Sequence, residues 1–98
     1  MTARFRLSKA ARRDLVEIGR YTFERWGEDQ CRRYLTLLDA RFRSLGKTPD
    51  QGRACDEIKP GYWLCREGRH VIFYKLAAHK QVEIIRVLHD RMLARRHL

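Results

Sequence analysis

RHVIFYKLAAHKQVEIIRVLHDR, residues 69–91, is the stretch whose reading decides the fold. Residues 69–77 and 81–89 are rich in β-branched and aromatic side chains, and Ala78–Lys80 breaks the run between them. The stretch therefore reads as two strands joined by a turn. Strict alternation puts Val82, Ile84, Arg86 and Leu88 on one face of the second strand, and Ile85, Val87 and His89 on the other. Both faces are largely apolar, so this strand is expected inside a sheet. Arg86 interrupts one face, a costly placement unless that face opens on water, a partner or an anion. Arg86, His89 and Arg91 gather at the strand's end and are the first candidate functional residues.

Upstream of this hairpin, residues 62–66 (YWLCR) read as a third strand, with Glu67–Gly68 as a two-residue turn into residue 69. Adjacent Tyr62 and Trp63 must face opposite ways, one ring to the core and the other outward or to a partner. With Lys59 and Arg66 close by, base stacking is the functional reading of the same pair. Residues 48–61 (TPDQGRACDEIKPG) read as a long irregular connection, and Pro60–Gly61 suits the centre of a type II turn. Asp56–Glu57 reads as a solvated turn, since no other carboxylate is placed to work with it.

The first half of the chain reads as helical. Ser8 is a good N-cap, and Ala11, Leu15, Ile18, Thr22 and Trp26 recur as one apolar stripe closed by Gly27. A second helix starts at once with Glu28 and Asp29 in its first turn, where negative charge is favoured. Its stripe is Cys31, Tyr34, Leu35, Leu38, Phe42 and Leu45, and Pro49 ends it. Two helices joined around one glycine fold back on each other. Residues 3–7 (ARFRL) alternate as a short strand with Phe5 and Leu7 on one face. The expected fold class is α+β: an N-terminal strand, then an antiparallel two-helix hairpin packed on one face of a small, mainly antiparallel sheet.

At 98 residues and 44% hydrophobic content, the chain is expected to form a single domain over residues 1–98. No apolar run approaches the roughly 18 residues that span a bilayer, so no membrane partner is expected. The basic N-terminus meets Asp14 and Glu17 before any apolar segment, unlike a signal peptide, and a cytoplasmic location is expected. Cys31, Cys55 and Cys65 are odd in number and lack a C-x-x-C pair, so reduced thiols are expected. The formal net charge is +10 and both halves are basic. Such a field attracts polyanions: nucleic acid, the ribosome or an acidic protein.

Most catalytic and cofactor chemistry is absent from the pattern. There is no Walker loop, dinucleotide-binding glycine fingerprint or H-E-x-x-H, and His70, His79, His89 and His97 lack zinc spacing, so no cofactor or metal is expected. Arg86 with His89 remains. A histidine that moves protons near neutral pH, beside arginines that stabilise a pentavalent phosphate, has the parts of a metal-free ribonuclease. Three positions apart, the two face opposite sides of a regular strand. The structural reading is that His89 caps the strand through a backbone hydrogen bond and Arg91 binds a carboxylate.

Three blocks together resemble a known family: DLVEIGRYTFERWG (14–27), PDQGRACDEIKPGYW (49–63), and HVIFY (70–74) followed by VEIIRVLHDRM (82–92). Their order and spacing are similar to ParE toxins of the RelE/ParE toxin–antitoxin superfamily, across nearly the whole chain. The resemblance implies two helices packed on a small antiparallel sheet. It implies a toxin that inhibits DNA gyrase by binding, blocks replication, and is neutralised by a wrapping ParD-type antitoxin. No direct sequence-specific DNA binding by the toxin alone is implied. The basic cluster Arg86, His89, Arg91, Arg95 and Arg96 is then the expected target surface. Tyr21, Arg25, Trp26 and Tyr34 are the expected antitoxin contacts, with Trp26 and Tyr34 placed in the core by their stripes. The alternative within the superfamily is a ribosome-dependent messenger RNA endoribonuclease of RelE or YoeB type, using Arg86 and His89. In YoeB-like sequences a catalytic arginine follows the histidine of the third strand. The matching residue here is Val71, which cannot stabilise phosphorane charge.

Overall fold

The computed structural model describes residues 4–91. Strand β1 (Phe5–Leu7) leads into α1 (Lys9–Trp26) and α2 (Glu28–Lys47). A 3-10 turn (Pro49–Gln51) precedes β2 (Arg53–Ala54), β3 (Trp63–Glu67), β4 (His70–Leu76) and β5 (Val82–His89). The sheet order is β1-β5-β4-β3-β2, with β1 parallel to β5 and every other pair antiparallel. The α+β class and the helical hairpin on one sheet face are as expected. The two-residue strand β2 was not expected, because residues 48–61 show no alternation.

The main core lies between the hairpin and the sheet. Ala11 and Ile18 of α1, with Leu38, Phe42 and Leu45 of α2, pack on Ile72, Tyr74, Val82, Ile84 and Val87. A smaller apolar cluster fills the opposite face: Cys55, Val71, Phe73 and Leu88, covered by Ile58, Tyr62 and Leu64. The irregular segment is therefore a lid on the second face. Asp56 accepts the Gly61 N–H at 2.7 Å. The Tyr62 N–H donates to the Lys59 carbonyl across the turn centred on Pro60–Gly61, where φ of Gly61 is +82°, as a type II turn requires. Trp63 packs into the helix-side core and Tyr62 into the outer cluster, so neither ring is a bare stacking platform.

The face assignment of β5 needs correction. Tyr74 pairs with Ile84 but Phe73 pairs with Arg86, so Ile85 is the extra residue of a β-bulge. The bulge reverses parity, and Val87 joins Val82 and Ile84 on the helix side while Leu88 goes to the outer cluster. Two side chains from the first helical segment satisfy the polar groups that the bulge frees. The Ser8 hydroxyl donates to the Ile85 carbonyl at 2.7 Å and accepts the Ala11 N–H at 2.9 Å. Asp14 accepts the Val87 N–H at 2.9 Å and holds the Arg86 guanidinium in two bonds of 2.8 and 2.9 Å. The N-cap of α1 and the irregularity of β5 are one construction.

The β3–β4 turn also differs from expectation, whereas the β4–β5 turn falls at Ala78–Lys80 as expected. Glu67 pairs with His70, so the turn residues are Gly68 and Arg69, one position later than expected. Gly68 has φ +58°, and a Cβ there would lie 2.8 Å from the Tyr34 ring, so both conformation and space require glycine. The β4–β5 turn places His79 and Lys80 at φ +62° and +60°, with the Gln81 N–H on the Ala78 carbonyl. This is the I′ geometry that Asn-Gly adopts without strain. The double substitution His79→Asn with Lys80→Gly is expected to raise stability by about 1–2 kcal/mol. An unchanged urea midpoint at constant slope would refute it.

Candidate functional site

At one end of the molecule, the last turns of α1 and the first turns of α2 face the Gly68–Arg69 turn and the end of β5. Between them lies a cleft of about 530 Å³. Helix α1 contributes Tyr21, Thr22, Arg25 and Trp26, and α2 contributes Gln30 and Tyr34; the sheet contributes Arg69, His70, His89 and Arg91. No carboxylate is among these lining residues. The expected antitoxin contacts and two of the expected target contacts therefore share one cavity. Arg86 is not part of its lining, and Arg95 and Arg96 lie outside the described residues.

Trp26 is 66% exposed and Tyr21 56% exposed, so the core placement of Trp26 is corrected. The stripe of α1 runs on past the sheet, and its last turn overhangs the cleft instead of covering β-strands. The Arg25 guanidinium sits 5.5 Å from the centroid of the Tyr21 ring, within cation–π range. Tyr34 is half-buried, not wholly core: its ring packs on the main cluster while its hydroxyl reaches the cleft floor.

His70 and His89 pair directly across β4 and β5, their rings edge to face at 5.4 Å. His70 was not expected in the site, although counting back from a two-residue His79–Lys80 turn places it opposite His89. The Tyr34 hydroxyl lies 2.5 Å from His70 Nδ1 and 3.2 Å from the Glu67 carbonyl. Both contacts are satisfied if His70 Nδ1–H donates to the tyrosine oxygen and the tyrosine O–H donates to the carbonyl, a tautomer assigned from this network. His89 Nδ1 accepts the Arg91 N–H at 3.1 Å, the backbone cap expected for it. An ion pair to Asp90, 3.0 Å away, forms only when that ring is protonated.

Burial, then the neighbouring His89, pushes the His70 pKa down from 6.5 to about 4. Between these values the unfolded chain binds a proton that the folded chain refuses. Stability from the neutral ring is thus complete above about pH 6.5 and falls as pH drops towards 4. Wild type is expected to lose about 1–2 kcal/mol more than His70→Asn between pH 7 and pH 5, after allowance for solvent screening at the half-open cleft. Parallel urea melts of the two proteins check this, and equal losses would contradict it.

On the other side of the helical hairpin runs an apolar groove of about 440 Å³, lined by Leu7, Leu15, Val16, Gly19, Leu35 and Phe42, with Arg20 and Asp39 at its rim. Among the described residues, no three His, Cys, Asp or Glu side chains gather as a metal site, and no helix is long and apolar enough to cross a membrane. The three cysteines are unpaired, and burial raises the thiol pKa of both Cys55 and Cys65.

With this geometry in place, comparison with known proteins assigns the family. The family model described as "ParE toxin of type II toxin-antitoxin system, parDE" matches residues 5–94. The chain belongs to the ParE toxin family. A relative named Toxin ParE1 from Mycobacterium tuberculosis is 42% identical, covering 100% of both chains. Toxin ParE1 from Caulobacter vibrioides is 40% identical, covering 96% of each. A solved structure, "Chromosomal ParDE TA system from P. aeruginosa", superposes with a TM-score of 0.74 at 14% identity, covering 90% of this chain and 96% of that one, which shows the shared fold. As a ParE-family member of the RelE/ParE superfamily, the chain is a type II toxin. Val71, matched above to the YoeB-type arginine, is buried in the outer apolar cluster.

Proposed function

We propose that this ParE-family toxin inhibits DNA gyrase by binding rather than by bond cleavage, and that a ParD-type antitoxin neutralises it by covering the same cleft. The observation that carries this reading is the convergence of Tyr21, Arg25, Trp26 and Tyr34 with His89 and Arg91 around one carboxylate-free cavity. A partner engaged there excludes any other. The antitoxin's amphipathic segment takes the apolar groove between the helices, and its acidic residues complement the +10 toxin. Membership of a family described as the toxin of a type II toxin-antitoxin system supports a partner of this kind.

Nuclease chemistry is disfavoured at the two positions that its RelE- and YoeB-type forms rely on; Arg25, Arg69 and Arg91 line the cleft but match neither. Phosphoryl transfer needs a cation free to meet developing charge. The Arg86 guanidinium is held by Asp14, with 22% of its side chain exposed, and Val71 is apolar. The test is a supercoiling assay with purified gyrase. The folded toxin is expected to inhibit it, and a His89→Ala/Arg91→Ala variant is expected to need about tenfold more protein, roughly 1.4 kcal/mol of lost binding. Antitoxin is expected to restore supercoiling. Absence of inhibition by folded wild type sinks the reading. Codon-phased cleavage of messenger RNA in a translation extract, abolished by His89→Ala, establishes the nuclease instead.

A further inference from the structure

We infer that the cleft takes an unpaired nucleotide of a single-stranded nucleic acid, with phosphate on Arg25, Arg69 and Arg91 and the base stacked against Trp26 and Tyr21. The inference deepens the target-surface reading and takes that surface as its site. It means that the toxin touches the nucleic acid of its target complex and not protein alone.

The charge argument comes from partners. Arg6, Arg20, Arg32, Arg41, Arg43, Arg53 and Arg86 each hold a carboxylate. Among the described residues, Arg25, Arg69 and Arg91 have no carboxylate partner, as Arg4, Arg12, Arg13, Arg33 and Arg66 have none, but these three alone of that set line the cavity. Three cations without a carboxylate partner, around a concave surface whose lining includes no carboxylate, form a site for an anion, with Asp90 standing beside His89 at its edge. The stacking argument is independent of charge. Trp26 and Tyr21 are exposed large aromatics, and both stand at this cleft. A peptide of acidic residues alone would use the arginines and leave these rings idle; the proposed antitoxin meets the rings with its apolar residues, and a nucleotide with its base, because every base offers a flat face. A duplex keeps its bases stacked inside and offers the rings nothing. The volume, about 530 Å³, lies within the roughly 300–1,000 Å³ typical of sites for molecules of that size.

Trp26 supplies the readout. Trp63, the other tryptophan, is half-buried against the core and is not among the residues lining the cleft. Intrinsic fluorescence is titrated with a ten-nucleotide oligo-dT, a ten-nucleotide oligo-U, a ten-base-pair duplex and a ten-residue glutamate peptide. Quenching by either single strand, at several-fold lower concentration than by the duplex or the peptide, is expected; a preference between oligo-dT and oligo-U then assigns DNA or RNA. Arg69→Ala/Arg91→Ala is expected to weaken binding about tenfold. Arg12→Ala/Arg13→Ala, which removes the same charge from exposed positions on α1, is expected to change it far less. Trp26→Leu removes the quenching, so its binding is followed by anisotropy of a labelled strand; a loss of at least about fivefold is expected for one stacked base. Duplex or peptide binding as tight as either single strand, or equal losses in the two arginine pairs, would overturn the inference and leave only the field of a +10 protein. Gyrase inhibition without oligonucleotide binding overturns this inference alone, while absence of inhibition overturns the reading on which it rests.

Discussion

Replacing Asp14 with alanine is expected to destabilise the protein by about 3–4 kcal/mol and to lower its unfolding midpoint by roughly 15–30 °C. Asp14 accepts three hydrogen bonds, two from the Arg86 guanidinium and one from the Val87 N–H. The side chains of Asp14 and Arg86 are only 13% and 22% exposed. Removing the carboxylate takes two hydrogen bonds from a poorly hydrated cation and one from an N–H of the bulged strand together, and each loss is larger than that of an exposed ion pair. The hydrogen bond to Asp14 is the first cause of the raised Arg86 pKa; once it is gone the cation still keeps its charge, because a guanidinium is too strong a base to lose its proton in a protein. Arg86→Ala is expected to cost less, because Asp14 keeps the Val87 N–H and stands nearer to solvent once the guanidinium is gone. The double substitution is expected to cost clearly less than the sum of the singles, by about 1–3 kcal/mol. Denaturant melts of the four proteins measure this cycle. A loss below about 1 kcal/mol for Asp14→Ala would mean that the pair is solvated and that the bulge stands without it.

The same contact explains what sequence could and could not foretell. The helices were legible because their signals are local: the Ser8 cap, the 3.6-residue stripes and the Gly27 break all act within a few positions. The strands were legible from period two. The bulge at Ile85 was not, because its partners are a hydroxyl and a carboxylate more than seventy positions away in sequence. With parity fixed by alternation alone, Arg86 read as a charge interrupting an apolar face, when it belongs to an ion pair at the junction of β5 and α1. The misplaced Gly68–Arg69 turn has a different cause: Glu-Gly carries no strong register signal, and the close approach of Tyr34 to Gly68 is a tertiary fact. The cleft was half legible. Residue types flagged His89 and Arg91, and the family resemblance, with the antitoxin it implies, brought in Tyr21, Arg25, Trp26 and Tyr34, but amphipathic periodicity assigned Trp26 to the core because it has no knowledge of where the sheet ends. Arg69 and His70 entered the site through strand register, which only the folded hairpin displays.

Gly52→Ala is expected to cost about 3 kcal/mol, though its backbone conformation is ordinary for any residue, with φ −85° and ψ −163°. The obstacle is space. A Cβ at this position would fall on the Tyr74 hydroxyl and 2.5 Å from the Leu64 carbonyl. Tyr74 is fully buried, and its hydroxyl donates to the Pro49 carbonyl at 2.6 Å and accepts the Gly52 N–H at 3.1 Å. Burial raises its pKa to about 12, so it stays a neutral donor across the physiological range. Those two bonds fasten the beginning of the irregular segment to the sheet, and the segment in turn roofs the outer cluster of Cys55, Val71, Phe73 and Leu88. A methyl group must therefore push out a buried ring or a strand carbonyl, and either shift breaks the bonds that hold the lid. Tyr74→Phe separates the two contributions. Alone it is expected to cost about 2 kcal/mol by orphaning the Pro49 carbonyl and the Gly52 N–H. In that background Gly52→Ala is expected to cost less than in wild type, since the hydroxyl no longer stands in its way and its bonds are already lost. The accompanying structural readout is Cys55, the buried cysteine of the lid itself, whose thiol is expected to react faster with a thiol reagent in Gly52→Ala than in wild type under native conditions. Unchanged Cys55 reactivity with full stability would show that the chain around Gly52 moves freely enough to accept the methyl group, and that the Tyr74 hydroxyl is not what anchors the lid.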